Sequence, residues 1–97
     1  MEHGVIPCKW RMTELPTLLP NDVERRWYLE TIRNGTLVAK VYSYGCLWKG
    51  KFEFISPEMY RGYEHTSYYL QTVIKDIEQT ALKYGFIALT ERQINLL

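Results

Sequence analysis

From Trp27 to Ile55 apolar and polar side chains alternate along the chain, and from Thr66 to Tyr84 they change to a three-and-four spacing. Period two marks a strand with one buried face; a period near 3.6 marks an amphipathic helix. The runs Trp27 to Arg33, Thr36 to Ser43 and Leu47 to Ile55 are rich in β-branched and aromatic residues, which suit a pleated surface. Asn34-Gly35 separates the first two, and both residues tolerate the positive φ that a two-residue type I′ turn needs. Tyr44-Gly45 suggests a second turn. The expected fold is α+β: a three-stranded antiparallel meander packed against one helix (βββα).

Alternation also assigns faces. Trp27 and Leu29, then Leu37, Ala39 and Val41, then Trp48, Gly50, Phe52 and Phe54 are expected under the helix. Tyr28, Glu30, Ile32, Val38, Lys40, Tyr42, Lys49, Lys51 and Glu53 fall on the opposite, mixed face, as on the solvated side of an antiparallel sheet. The helix supplies the cover with Leu70, Val73, Ile74, Ile77, Ala81 and Tyr84 on one stripe. Thr66 or Ser67 can cap its start, and Gly85 stands where a C′ glycine would end it.

The flanks are less regular. Residues 1–26 carry Pro7, Pro16 and Pro20 and no sustained periodicity, so they read as an irregular N-terminal arm anchored by Trp10 and Leu18-Leu19. Residues 27–85 form the βββα core and 86–97 a C-terminal tail, all within one domain. In the tail, Thr90 and Gln93 have the spacing of a capping box. Ile94, Leu96 and Leu97 leave its end apolar, so it either tucks under the domain or makes a homodimer contact.

Composition narrows the function classes. With 97 residues, 46% hydrophobic and 24% charged, the chain can build a core. A net charge of +1 argues against a protein that holds nucleic acid by bulk charge alone. Cys8 and Cys46 form no C-x-x-C pair and read as reduced thiols of a cytoplasmic protein. The start has no signal-peptide pattern, and no apolar run approaches a membrane span.

No constellation carries catalysis. His3 and His65 are the only histidines, and His65 has only Glu58 and Glu64 near it in sequence, short of a metal set. Ser43 and Cys46 have no base placed beside them. The glycines make no phosphate-binding spacing. The chain is therefore expected to be no enzyme, with no cofactor and no metal.

The compositional anomaly is aromatic. Half of the eight tyrosines lie between Tyr60 and Tyr69, in the connection to the helix. Tyrosine offers large contact area, one polar tip and little rotamer entropy to lose, which suits an interface. Tyr60, Tyr63 and Tyr68 are the candidate partner-binding residues.

A meander with an Asn-Gly turn, the pair Ala39-Lys40-Val41, a strand tryptophan (Trp48) and one helix resembles the layout of many short phage and prophage proteins. It is also similar in layout to the three-strand-plus-helix domains of AP2 proteins and of integrase arm-binding domains, over residues 27–85. The DNA-binding members of that layout use the exposed sheet, where this chain has Lys40, Tyr42, Lys49 and Lys51, interleaved with Glu30 and Glu53. Two functions follow as expectations. The first is a non-catalytic protein-interaction module, of the phage-type inhibitor or regulator kind; the second is a small DNA- or RNA-binding domain.

Overall fold

The computed structural model describes residues 4–19, 23–53 and 64–96. It contains a six-stranded mixed sheet, curved into a half-barrel, instead of the expected three-stranded meander. The strands are β1 (Ile6–Pro16), β2 (Val23–Thr31), β3 (Leu37–Tyr44), β4 (Leu47–Phe52), β5 (Glu64–Ser67) and β6 (Phe86–Ala88). Among the described residues two helices accompany them, α1 (Leu70–Lys83) and the single turn α2 (Glu91–Ile94). Spatial order is β5-β4-β3-β2-β1-β6, antiparallel throughout except that β6 lies parallel to β1.

The largest correction lies in the N-terminal arm, where residues 6–16 are a strand and residues 23–26 begin the next one. β1 pairs with β2 from Cys8↔Thr31 to Pro16↔Val23. Its side chains do alternate: Cys8 is fully buried and Trp10 packs against the core, whereas Lys9 and Arg11 lie on the other face. The prolines hid this. Pro7 lies just beyond the β1–β2 ladder, where its missing N–H is not needed and its carbonyl still accepts from Ile32 at 3.0 Å. The expected anchors Leu18 and Leu19 are exposed instead.

The turns also exchange roles. The two-residue turn is Gly45-Cys46, closed by Tyr44↔Leu47, and Gly45 has φ +62°. Ile32 to Gly35 form a longer loop in which Thr31 N–H donates to Thr36 O and Gly35 N–H to Thr31 O, both at 2.9 Å. Gly35 does take positive φ, +69°, but in this longer loop rather than in a type I′ turn.

Most face assignments hold. Leu29, Ala39, Val41, Gly50 and Phe52 are buried, and Val73, Ile77 and Ala81 of α1 close over them. Two assignments exchange. Leu29 pairs with Ala39 but Glu30 with Leu37, so Val38 is an extra residue opposite the step. Such a bulge inverts the alternation beyond it, which turns Val38 into the core and moves Leu37 to the face of Glu30. Phe54 lies outside the described residues.

Helix α1 begins four residues later than expected. Thr66 and Ser67 belong to β5, and Tyr69 occupies the N-cap without a side-chain cap. Its 14 residues span about 21 Å, close to the roughly 24 Å width of six strands. It contacts β4 and β5 at one edge and β6 at the other. Gly85, at φ +92°, ends it and passes its carbonyl to Ile6 N–H at 2.7 Å, which starts the β1–β6 pairing. In α2 the expected capping box is present: Gln93 N–H donates to Thr90 Oγ1 and Thr90 N–H to Gln93 Oε1.

The tightest contact lies at Gly50. A Cβ there would stand 2.7 Å from Ile77 Cγ1 and 2.8 Å from Val73 Cγ1, inside contact distance. Gly50→Val is therefore expected to lift the helix from β4 and to cost about 1–3 kcal/mol, the range for overpacking. Val41→Ala, across the same pair, leaves a small cavity instead and keeps the helix seated. Urea unfolding of both variants, with α1 amide exchange as the local readout, checks this; an undisturbed helix in Gly50→Val would refute it.

Candidate interaction surfaces

The face of the sheet away from α1 gathers the sequence-predicted lysines. Lys40 stands opposite Lys51, and Tyr42 opposite Lys49, on β3 and β4. Because 6–16 and 23–31 are strands, β2 and β1 extend this surface with Arg26, Tyr28 and Arg11. Arg26 pairs across from Tyr42 and Tyr28 from Lys40. The alternation Lys9-Trp10-Arg11-Met12-Thr13 was the signal in the sequence for this extension, masked by its prolines.

Cations and rings interleave here. Arg11 lies over the Tyr28 ring at 4.7 Å, Lys49 over Tyr44 at 4.7 Å and Lys40 over Tyr42 at 5.7 Å. The cations are also paired with carboxylates. Arg11 grips Glu30 through two bonds of 3.0 and 2.8 Å, Arg26 holds Glu24 at 2.7 Å, Lys40 meets Glu53 at 3.6 Å, and Lys49 and Lys51 share Glu64 at 3.3 and 4.0 Å. The hydrogen bond to Glu64 raises the Lys49 pKa, bonds to Tyr28 and then Glu24 raise that of Arg26, and the Arg11 bond lowers that of Glu30. A hollow of about 230 Å³ lined by Arg26, Lys40 and Tyr42 interrupts an otherwise continuous polar surface.

The tyrosine candidates do not assemble into one described patch. Tyr68 is exposed beside exposed Tyr69, between β5 and α1. Tyr60 and Tyr63 lie outside the described residues.

The nearest approach to an acid–base arrangement joins β5 to α1. His65 Nδ1 is 3.7 Å from Asp76 Oδ2, and its Nε2 is 3.5 Å from Thr80 Oγ1. Thr80 is only 6% exposed, so its hydroxyl lies within the strand–helix contact. Among the described residues no group of three ligand-type side chains could hold a metal. Cys8 is sealed in the core, where desolvation pushes its thiol up to about 11, and the exposed thiol is Cys46 at the turn.

A surface that the sequence did not announce runs along the outer edge of β1. Pro7 O accepts from Ile32 on the β2 side, and Cys8 O accepts from Leu89 on the β6 side. Backbone direction alternates along a strand, so Trp10, Met12 and Glu14 turn their N–H and C=O groups away from β2. The β6 pairing ends at Cys8. Among the described residues no strand covers β1 beyond that point.

A groove of about 570 Å³ lies beside this edge, lined by Trp10, Glu78, Leu89 and Ile94 among others. Trp10 Nε1–H donates to Glu78 Oε2 at 2.8 Å, which fixes the indole as its wall. The distal part of the β1–β2 hairpin carries exposed Met12, Leu15, Leu18, Leu19 and Val23. No helix in the described residues is long and apolar enough to cross a membrane.

Comparison with protein-family models, curated proteins and solved structures finds no match to this chain.

The Arg11–Glu30 pair has a testable pH signature. Glu30 has a folded pKa below its ordinary 4.5, so its contribution is present above that value and is lost as pH falls through the lowered one. Arg11→Gln should lower neutral stability slightly, since the pair is partly solvated, and should flatten the fall of stability below about pH 4.5 by that same amount. Chemical unfolding at a series of pH values reads both; an unaltered acid slope would show that the pair carries no linkage.

Proposed function

We propose that this chain is a non-catalytic protein-interaction module that binds its partner by strand addition along the outer edge of β1. The observation that carries the reading is the row of outward backbone groups at Trp10, Met12 and Glu14, which lies against the groove of Trp10, Leu89 and Ile94. An extended segment laid there gains main-chain hydrogen bonds, and its alternate side chains enter the groove and give selectivity. Proteins ordinarily blunt such an edge with charge, proline or a bulge. Here Lys9, Arg11 and Glu14 put charge beside the edge, but no bulge breaks it and Pro16 comes only at its end, so the outward groups of Trp10, Met12 and Glu14 stay available. Binding of this kind suits a regulator or inhibitor that acts by occupying a partner's segment.

Nucleic-acid binding on the opposite face is the second reading, favoured by the alternation of Lys40, Tyr42, Lys49 and Lys51 with Arg26, Tyr28 and Arg11. Each of those lysines already faces a carboxylate within 4.0 Å. A phosphate would have to displace Glu53 or Glu64, which weakens this reading relative to the first.

Selection of short peptides from a random library on the full chain separates the two. Selected peptides should slow hydrogen exchange at the Trp10, Met12 and Glu14 amides and lose binding in Met12→Pro, which removes one edge donor. The triple variant Lys40→Gln, Lys49→Gln, Lys51→Gln should bind them as the wild type does. Failure to select edge-binding peptides, together with oligonucleotide binding that weakens steeply with salt and vanishes in the lysine variant, would reverse the ranking.

A further inference from the structure

The geometry points to a second copy of this chain as a partner for the β1 edge, joined antiparallel about a two-fold axis at Met12. This rests on the reading of that edge as a protein-binding surface, and it names an occupant.

The register follows from which backbone groups are available. An axis at Met12 sets Met12 against its own copy and Trp10 against Glu14 of the other protomer. Every outward N–H and C=O from Trp10 to Glu14 then finds a partner. An axis at Thr13 would set Trp10 against Pro16, which has no N–H to give. An axis at Arg11 would set Glu14 against Cys8, whose carbonyl is already bonded to Leu89 at 2.8 Å. Met12 is the centre that uses the whole free edge and nothing else.

The side chains agree with this register. Across the axis Arg11 faces Thr13, so no like charges stand directly opposite within the Trp10–Glu14 pairing. Met12, 47% exposed on each copy, becomes covered by its equivalent. A two-fold contact of this type closes on itself and leaves no further β1 edge for a third copy.

The distal hairpin supplies the second observation. Running antiparallel past Lys9, the partner's β1 reaches the position taken by β6 and must leave the sheet. Pro16 ends the strand at that point. Residues 17–19 then pass over Leu89 and α2, beside the groove lined by Trp10, Leu89 and Ile94. In this arrangement Leu18, fully exposed in the single chain at 103%, is the side chain that would enter it.

Sedimentation equilibrium on the full chain, from micromolar to millimolar concentration, tests the assignment. The wild type should dimerise, and Leu18→Ser should weaken the dimer. Met12→Pro should be monomeric with an unchanged circular dichroism spectrum, because the donor it removes points away from β2 in the monomer. If that variant misfolds, Met12→Arg keeps the amide and sets two guanidinium groups together on the axis, and it too should be monomeric. A wild type that stays monomeric throughout, or a folded Met12→Arg that dimerises as the wild type does, overturns the dimer. Peptides that still bind the edge of a monomeric wild type would overturn the dimer alone and leave the strand-addition reading standing. Where the dimer exists, those peptides should dissociate it.

Discussion

The rest of the structure depends on the close approach of one helix to one glycine. Helix α1 must cross from the β5 edge to the β6 edge, and Val73 and Ile77 can descend onto β4 only because Gly50 has no side chain. That approach places Val41 and Phe52 beneath the helix with no exposed surface left. It also brings the end of the helix to where Gly85 can hand its carbonyl to Ile6. The parallel strand β6 follows from this. A parallel neighbour needs a crossover connection, and α1 is the connection between β5 and β6.

From the same crossing comes an asymmetry between the two faces and between the two ends of β1. One face is packed under the helix. The other is a polar surface in which nearly every cation has a carboxylate and a ring beside it. Such a face is internally paired, cation to carboxylate. β6 is only three residues long and covers only the start of β1. Among the described residues the outer edge of β1 beyond Cys8 and the leucines near its end are therefore left uncovered, and the bonding capacity left there is backbone, not side chain.

Long-range strand pairing makes the N-terminal half cooperative with the C-terminal end. Cys8 pairs with Thr31 on one side and Ala88 on the other, so residues separated by most of the chain meet in one row. Trp10 adds a side-chain tie to Glu78 at 2.8 Å. The 8–10 segment is thus a structural seam, and the free edge begins immediately after it. A binding surface mounted beside such a seam is held rigidly, which lowers the ordering cost of engaging a partner.

Local pattern by itself determined the three central strands, the turn glycines, the helix, its buried stripe and the Thr90–Gln93 cap, because each rests on spacing within a few residues. It also brought Lys40, Tyr42, Lys49 and Lys51 onto one face, since alternation on adjacent strands is a local property. Three things needed the tertiary structure. Whether 6–16 is a strand depended on a partner, β2, since Pro7 and Pro16 erase the local signal and only the ladder shows that their missing donors lie outside it. The side on which Val38 lies depended on a bulge, which is a property of a strand pair. The candidate site depended most of all on tertiary structure. Among the described residues the open edge is defined by where β6 stops, and no local pattern within 6–16 encodes the length of a strand paired from the far end of the chain.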